Sequence, residues 1–291
     1  MTNLVALVDR GLIRVTGEEA SPFLQSLVTN DVTKAEADKA VFAGLLTPQG
    51  KINYEFFIVP VEGGYLLETG RGCADDLVKK LKLYKMRADV RIDNLSDETM
   101  TFWLASAPET TEGLFACYRD PRYEKMGYRI AVTLEGMKAF CSSFDACEID
   151  YYHLTRLQYA VPEGGYDYAF GDTFPHEAGY DLLNGVDFSK GCYVGQEVVS
   201  RMQHRGTARR RVVLVSSLSD QALPEAGSEI RTETSLMGPL GSSLKGQGIA
   251  LVRLDRASKA MASGNVMKAG DVPVTLTVPP WANYSLEVEE A

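Results

Sequence analysis

Lys190-Gly191-Cys192-Tyr193-Val194-Gly195-Gln196-Glu197 is the stretch on which the reading of this chain turns. Within eight residues it holds a cation, a thiol, a phenol, two glycines, an amide and a carboxylate. A structural turn would need the glycines but not the other groups. Gly195 precedes a helical run, Gln196 to Met202, and the unpaired N–H groups of a helix start attract negative charge. Cys192 stands near that positive end and near Lys190, and both would raise its thiolate fraction. The plainer alternative is a buried structural cysteine. Glu197 and Arg201, spaced i and i+4, are either a surface pair worth a few tenths of a kcal/mol or residues that orient Gln196 and a ligand. Tyr193 is either a stacking surface or core.

On the N-terminal side of the octapeptide, Pro162 to Phe188 has no periodicity and is rich in glycine and aspartate. Tyr166, Tyr168, Phe170, Phe174 and Tyr180 supply area to pack, so an ordered loop is expected rather than disorder. On the C-terminal side come five arginines, Arg201, Arg205, Arg209, Arg210 and Arg211, and then short strand patterns at Val212–Ser216, Glu229–Thr232, Gly248–Leu254 and Val274–Val278. No helical pattern is read there. An all-β C-terminal domain, a small barrel, is expected over 206–291.

The first part of the chain reads as α+β. Ile13 and Val15 alternate with Arg14 and Thr16 in a strand. Glu18 to Leu27 reads as a helix with acidic residues in its first turn, ending at Thr29-Asn30-Asp31, a polar triplet suited to a turn or a ligand. Strands at Val41–Leu46 and Ile52–Val59 flank the Thr47-Pro48-Gln49-Gly50 turn. A strand at Tyr65–Thr69, a helix at Ala74–Tyr84 and a strand at Val90–Ile92 complete a first unit, 1–95. A second unit, 96–205, holds strands at Thr101–Ser106, Leu114–Tyr118 and Tyr128–Leu134, a helix at Glu148–Tyr159, the long loop and the octapeptide. These two units are expected to interleave.

Composition excludes several classes. The 291 residues are 45% hydrophobic and 24% charged, with net charge −9, ordinary for a globular protein and adverse to nucleic acid or anionic lipid. No apolar run approaches the ~20 residues that span a membrane, and Met1-Thr2-Asn3-Leu4-Val5 has no signal-peptide character. A cytoplasmic protein is expected. Cys73, Cys117, Cys141, Cys147 and Cys192 form no C-x-x-C pair, and His153, His176 and His204 no H-E-x-x-H. Neither a disulfide framework nor a metal site is expected.

K-G-C-Y-V-G-Q-E resembles the hallmark of the folate-binding YgfZ family, relatives of the glycine-cleavage T-protein. Phe23–Val32, Pro48–Ile52, Pro175–Asp181, Val198–Arg201 and Arg205-Gly206 are similar to further stretches of that family in the same order. The resemblance implies a T-protein-like α+β fold, antiparallel sheets with covering helices in a ring of three domains, the last a small β-barrel. It implies a tetrahydrofolate-binding accessory factor in assembly or repair of iron–sulphur clusters, with client or assembly proteins as partners and the cluster belonging to the client.

A folate needs stacking faces, hydrogen-bond partners for its pterin edge and cations for its glutamate tail. Tyr54, Tyr152 and Tyr193 are the stacking candidates, and Lys190, Arg201 and Arg205 the cations. By resemblance Arg10 and Tyr152 fall near folate contacts. Asn30, Asp31, Gln158, Gln196 and Glu197 complete the candidate set, with Cys192 as the reactive or client-contacting thiol. Two departures matter. Where T-proteins have R-L-E-A-G, this chain has Arg156-Leu157-Gln158-Tyr159-Ala160, so an amide, Gln158, replaces the carboxylate. Where they have an acidic pair, it has Asn53-Tyr54-Glu55. The first weakens the pterin contact, for which Glu197 is the substitute carboxylate; the second weakens the alternative reading, a tetrahydrofolate-dependent methyl- or aminomethyltransferase. A third reading, nucleic-acid binding through Arg209–Arg211, conflicts with the net charge.

Overall fold

The computed structural model describes residues 3–109, 111, 113–206, 208–219 and 221–287. It falls into two compact units. One comprises Met1–Tyr152 with Asn184–Gln196, the other His153–Leu183 with Glu197–Ala291.

The first unit begins with β1 (Asn3–Leu7), β2 (Arg10–Thr16), α1 (Ala20–Gln25), a 3-10 turn at Val32–Lys34, β3 (Val41–Leu46), β4 (Ile52–Val61), β5 (Gly64–Gly70) and α2 (Arg71–Lys85). It continues through β6 (Arg91–Asn94), β7 (Thr99–Leu104), β8 (Ala116–Arg119), β9 (Tyr128–Thr133), α3 (Leu134–Cys141), β10 (Asp145–Cys147) and the start of α4 (Ile149–Gln158). Two five-stranded sheets result, ordered β3-β4-β5-β2-β6 and β10-β1-β7-β9-β8. They are antiparallel except where β10 lies parallel to β1.

Period-2 alternation places Ile13, Val15, Phe56, Ile58 and Leu67 on one face of the first sheet, where α1 (Phe23, Leu24) and α2 (Leu77, Val78, Leu81) cover them. In the second sheet Phe102, Ile130 and Val132 face Met137 and Phe140 of α3. The opposite faces carry Phe57 and Glu68 on one sheet and Trp103, Tyr118 and Arg129 on the other, all buried.

The helix expected from Glu18 begins later, at Ala20. Glu19 precedes it and accepts a hydrogen bond from the Asp89 amide at 2.6 Å. Glu19 is the N-cap: its carbonyl accepts from the Phe23 amide at 2.9 Å while its own amide donates to the Asp89 carbonyl at 3.4 Å, outside the helix.

In the second unit, residues after α4 run through ordered turns. Tyr168 and Tyr180 are buried with their hydroxyls 3.1 Å apart. Then come α5 (Gln196–Arg205), β11 (Arg210–Ser217), β12 (Glu229–Arg231), β13 (Leu236–Leu244), β14 (Gln247–Arg253), α6 (Leu254–Ala262), β15 (Met267–Ala269) and β16 (Val272–Thr277). Six strands close a barrel in the order β11-β14-β13-β12-β15-β16. The reading of a helix-free C-terminal region is corrected by α6. Its buried face is made of Ala257, Ser258 and Ala260, residues too small to register as an apolar stripe. The sequence also missed β13, whose interior carries Gly238, Pro239 and Gly241. Among the described residues no helix is long and apolar enough to cross a membrane.

Candidate functional site

The octapeptide is held in the first unit by three anchors. Lys190 is buried and its ammonium donates to the carbonyls of Gln25 (2.9 Å), Val28 (2.7 Å) and Asn30 (2.7 Å). Tyr193 is buried, its ring centroid 5.3 Å from that ammonium. Gly195 has φ +79°, and a Cβ there would stand 2.7 Å from the Thr47 carbonyl oxygen and 3.0 Å from the Gly50 Cα. Only glycine meets both conditions. The motif therefore lies on the β3–β4 turn. Between the first two anchors, Cys192 is exposed, whereas Cys73, Cys117, Cys141 and Cys147 are partly buried.

This geometry corrects several expected roles. Lys190 does not offer its charge to a ligand tail, because all three of its N–H donors are committed to main-chain carbonyls. Burial pushes its ammonium down to about 8, against the pull of Asp31 and Asp187. Tyr193 is not a stacking platform, since its ring is core, and burial pushes its phenol up. Asn30 joins segments: its amide donates to the carbonyls of Phe42 (2.8 Å) and Asn184 (2.7 Å). Asp31 caps the 3-10 turn, accepting from the Thr33 amide at 3.0 Å and from Gln25 at 3.0 Å. The Thr33 hydroxyl lowers its carboxyl despite some burial.

Arg10 and Tyr152 belong to a buried charge network that the sequence did not reveal. Glu68 on β5 pairs with Arg129 on β9, and it also pairs with Arg10 at 3.1 Å and accepts from the Tyr118 hydroxyl. Asp120 pairs with Arg122 (2.7 Å) and Arg129 (3.1 Å). The Tyr152 hydroxyl accepts from Arg129 at 2.6 Å and from Arg122 at 3.2 Å. The Arg129 and Arg122 guanidiniums lie 4.4 and 5.0 Å from the Phe57 ring centre. Burial opposes ionisation of Asp120, yet Arg122 and Arg129 hold its carboxyl below the usual range. Burial and then Glu68 push the Tyr118 phenol well up. Tyr152, at 2% exposure, braces this network and has no face left for a pterin. A carboxylate inside the apolar run Tyr65–Thr69 and an arginine inside Tyr128–Thr133 were the available signals, since charges on a buried face need partners.

Tyr54 is half-buried on β4, on the face that packs toward the helices. Glu55 points to the other face and is buried. Thus the acidic residue nearest the T-protein pair is not presented beside Tyr54, which argues further against aminomethyl transfer. Gln196 is half-buried at the start of α5. Further along that helix Glu197 and Arg201 form an exposed i,i+4 pair at 2.6 Å, and Arg205 is exposed. Gln158 is exposed at the last residue of α4, while Arg156 of the same motif is buried in the second unit against Asp167 and Ser242. Arg210 and Arg211 are paired with Glu177 (2.7 Å) and Asp181 (2.8 Å). These two arginines of the basic run are neutralised within the fold.

A cleft of about 1100 Å³ opens on the first unit, lined by Phe42, Tyr118, Asp120, Asn184 and Phe188 among others. Of the candidate residues it includes Asn30 alone. The structure therefore gathers the octapeptide on the β3–β4 turn, with Tyr54 two residues into β4, but does not bring the whole candidate set into one cavity.

The two sheets with their covering helices, followed by the six-stranded barrel, define a T-protein-like protein. Residues 4–135 match the family described as GCVT N-terminal domain, and 209–284 that described as CAF17, C-terminal beta-barrel domain. The glycine cleavage system aminomethyltransferase T from Bartonella henselae shares the fold, with TM-score 0.77 over 97% of this chain and 86% of that one, at 16% identity. The mitochondrial iron-sulfur cluster assembly factor IBA57 of Mus musculus is 31% identical over 94% of this chain and 84% of its own length. The human IBA57 is 29% identical over the same shares, and the IBA57 homolog of Coccidioides immitis 28% over 95% and 82%. The chain belongs to the IBA57 family of iron-sulfur cluster assembly factors.

These relatives carry the IBA57 name rather than that of the family whose octapeptide the sequence resembles. They also overturn the cytoplasmic expectation, because each is a mitochondrial protein. That expectation rested on the lack of secretory and membrane-spanning character, which does not separate cytosol from an organelle.

Proposed function

We propose that this chain assists assembly or repair of iron–sulphur clusters on client proteins, with Cys192 as its reactive or client-contacting thiol and tetrahydrofolate as its ligand. The observation that carries the reading is the presentation of Cys192. It is the exposed member of the five cysteines, set in a loop whose neighbouring residues are pinned on both sides. An exposed thiol on a fixed loop suits contact with a partner. Membership of the IBA57 family supports the iron–sulphur half, and the T-protein-like fold supports the folate half.

The folate half of the reading rests on the candidates that keep a free surface. Arg10, Asn30, Tyr152, Lys190 and Tyr193 are occupied in holding the protein together. Tyr54 and Gln196 in the first unit retain partial exposure and supply a ring face and an amide, groups that fit a pterin edge. On the second unit, Glu197, Arg201 and Arg205 are exposed along α5. The bound folate would supply a reduced pterin and its one-carbon chemistry. The residues of this chain would orient it.

Two measurements test the halves separately. Calorimetric titration with tetrahydrofolate is expected to show binding that Tyr54→Ala and Gln196→Ala weaken. No binding by the unmodified chain removes the folate half. In cells lacking the protein, iron–sulphur enzyme activities are expected to fall and to be restored by the chain but not by Cys192→Ser. Normal activities in the deletion remove the other half.

A further inference from the structure

The geometry points to Lys190 as the positioning residue of the thiol loop: its ammonium fills a cation cage of main-chain carbonyls, and that contact sets how Cys192 is presented. This rests on the reading of Cys192 as the reactive thiol, but it concerns the loop itself.

The cage is built by the end of α1 and the segment after it. Carbonyls at a helix end lack intrahelical partners and favour a cation. Gln25, Val28 and Asn30 turn three of their oxygens onto one point, at 2.9, 2.7 and 2.7 Å from the Lys190 Nζ. The Tyr193 ring adds a π face on the same ammonium. Three acceptors match the three N–H donors of an ammonium. They do not match a planar guanidinium, whose five donors form a flat fork. The surrounding charges are Asp31, at the end of the cage segment, and Asp187, paired with Lys34; both carboxylates favour the cation.

Lys190 thus ties the first residue of the octapeptide to residues 25–30, and Tyr193 ties the fourth into the core. Gly191 and Cys192 span the interval. Gly191 has open space where a Cβ would be, and Cys192 is exposed. Fixing both ends of a two-residue arc fixes the thiol between them. If instead Lys190 acted by lowering the thiol's pKa, charge alone would matter and geometry would not.

The test is the alkylation rate of Cys192 in the full chain at neutral pH, read at that residue by mass spectrometry after iodoacetamide. Lys190→Met and Lys190→Arg are both expected to shift the alkylation rate in the same direction and by a similar factor, about tenfold, the scale of losing a charge-assisted hydrogen bond that holds the loop. In Lys190→Ala, methylammonium chloride is expected to restore the native rate by entering the vacated cage, and tetramethylammonium chloride, which has no N–H, is not. Rates unchanged in all variants overturn the inference. So does a slower rate in Lys190→Met with an unchanged one in Lys190→Arg, the pattern of charge activation. If Lys190→Ala does not fold, recovery of folding with methylammonium but not tetramethylammonium supports the cage, and recovery with neither overturns it. An iron–sulphur role that failed would leave these rates as they are.

Discussion

Glu68 and Arg129 stand on different sheets of the first unit and meet as a buried ion pair at the centre of a network that also holds Arg10, Tyr118, Asp120, Arg122 and Tyr152. Desolvating so many charges is costly, so the network is better read as fixing which strands face each other than as a source of net stability. Breaking it is another matter. Arg129→Met would leave Glu68 and Asp120 short of a partner and is expected to cost about 3–5 kcal/mol in urea unfolding. Combined with Glu68→Gln, the loss should fall below the sum of the single losses by about 1–3 kcal/mol, the mark of coupled residues. Additive losses would show that the two do not act as a pair.

Ala160 offers a stabilising change. It sits just past α4 with φ +47° and is fully buried. Its amide donates to Leu157 and that of Val161 to Arg156, both at 3.0 Å, the bond pattern of a Schellman turn, which favours glycine at this position. T-proteins have glycine in the matching place of R-L-E-A-G. Ala160→Gly is expected to raise stability by about 0.5–1 kcal/mol and the melting temperature by roughly 1–3 °C. A lower melting temperature would mean that the methyl group's packing outweighs the backbone strain.

His176 should make the chain acid-sensitive. Its Nε2 lies 3.0 Å from Gln203 Oε1, and burial holds its imidazole below the ordinary value although Asp181 pulls the other way. The unfolded chain takes up this proton near pH 6.5, the folded chain only at lower pH. Between those two values the unfolded state binds more protons, so stability falls as pH falls and levels off below the folded value. Urea midpoints of the native chain should therefore drop between about pH 7.5 and 5.5, and His176→Gln should reduce that slope whatever its absolute stability. An equal slope in the variant would show that other groups carry the acid sensitivity.

Gly195 joins the octapeptide to the β3–β4 turn. Gly195→Ala forces a side chain into a left-handed backbone and against the Thr47 carbonyl. A destabilisation of about 1–3 kcal/mol is expected, with faster proteolysis of the loop around Cys192. Unchanged stability and unchanged cleavage would show that the motif is not seated on that turn.

Much of the architecture was legible because it follows from periodicity. The alternation at Ile13–Thr16 and the turn at Thr47–Gly50 gave the first sheet, and the spaced short strands after residue 206 gave the barrel. What escaped did so for physical reasons. The α6 face is made of alanine and serine, which leave no hydrophobic stripe. The Arg10–Glu68–Arg129 network joins residues more than a hundred positions apart, and only the pairing of strands brings them together. At the site, the octapeptide could be found from its density of polar groups. Whether Lys190 and Tyr193 face a ligand or the interior could not be read, since both uses need the same residue types. The carbonyl cage that decides it is made of backbone atoms from residues 25–30, and backbone carbonyls have no sequence signature.

The proposal stands most directly on Cys192, and complementation tests it. In cells lacking this chain, iron–sulphur enzyme activity and bound iron should recover with the unmodified chain. They should stay low with Cys192→Ser expressed at the same level and melting at the same temperature. Full recovery with Cys192→Ser would contradict the account, since the thiol would then have no part in what the protein does for its clients.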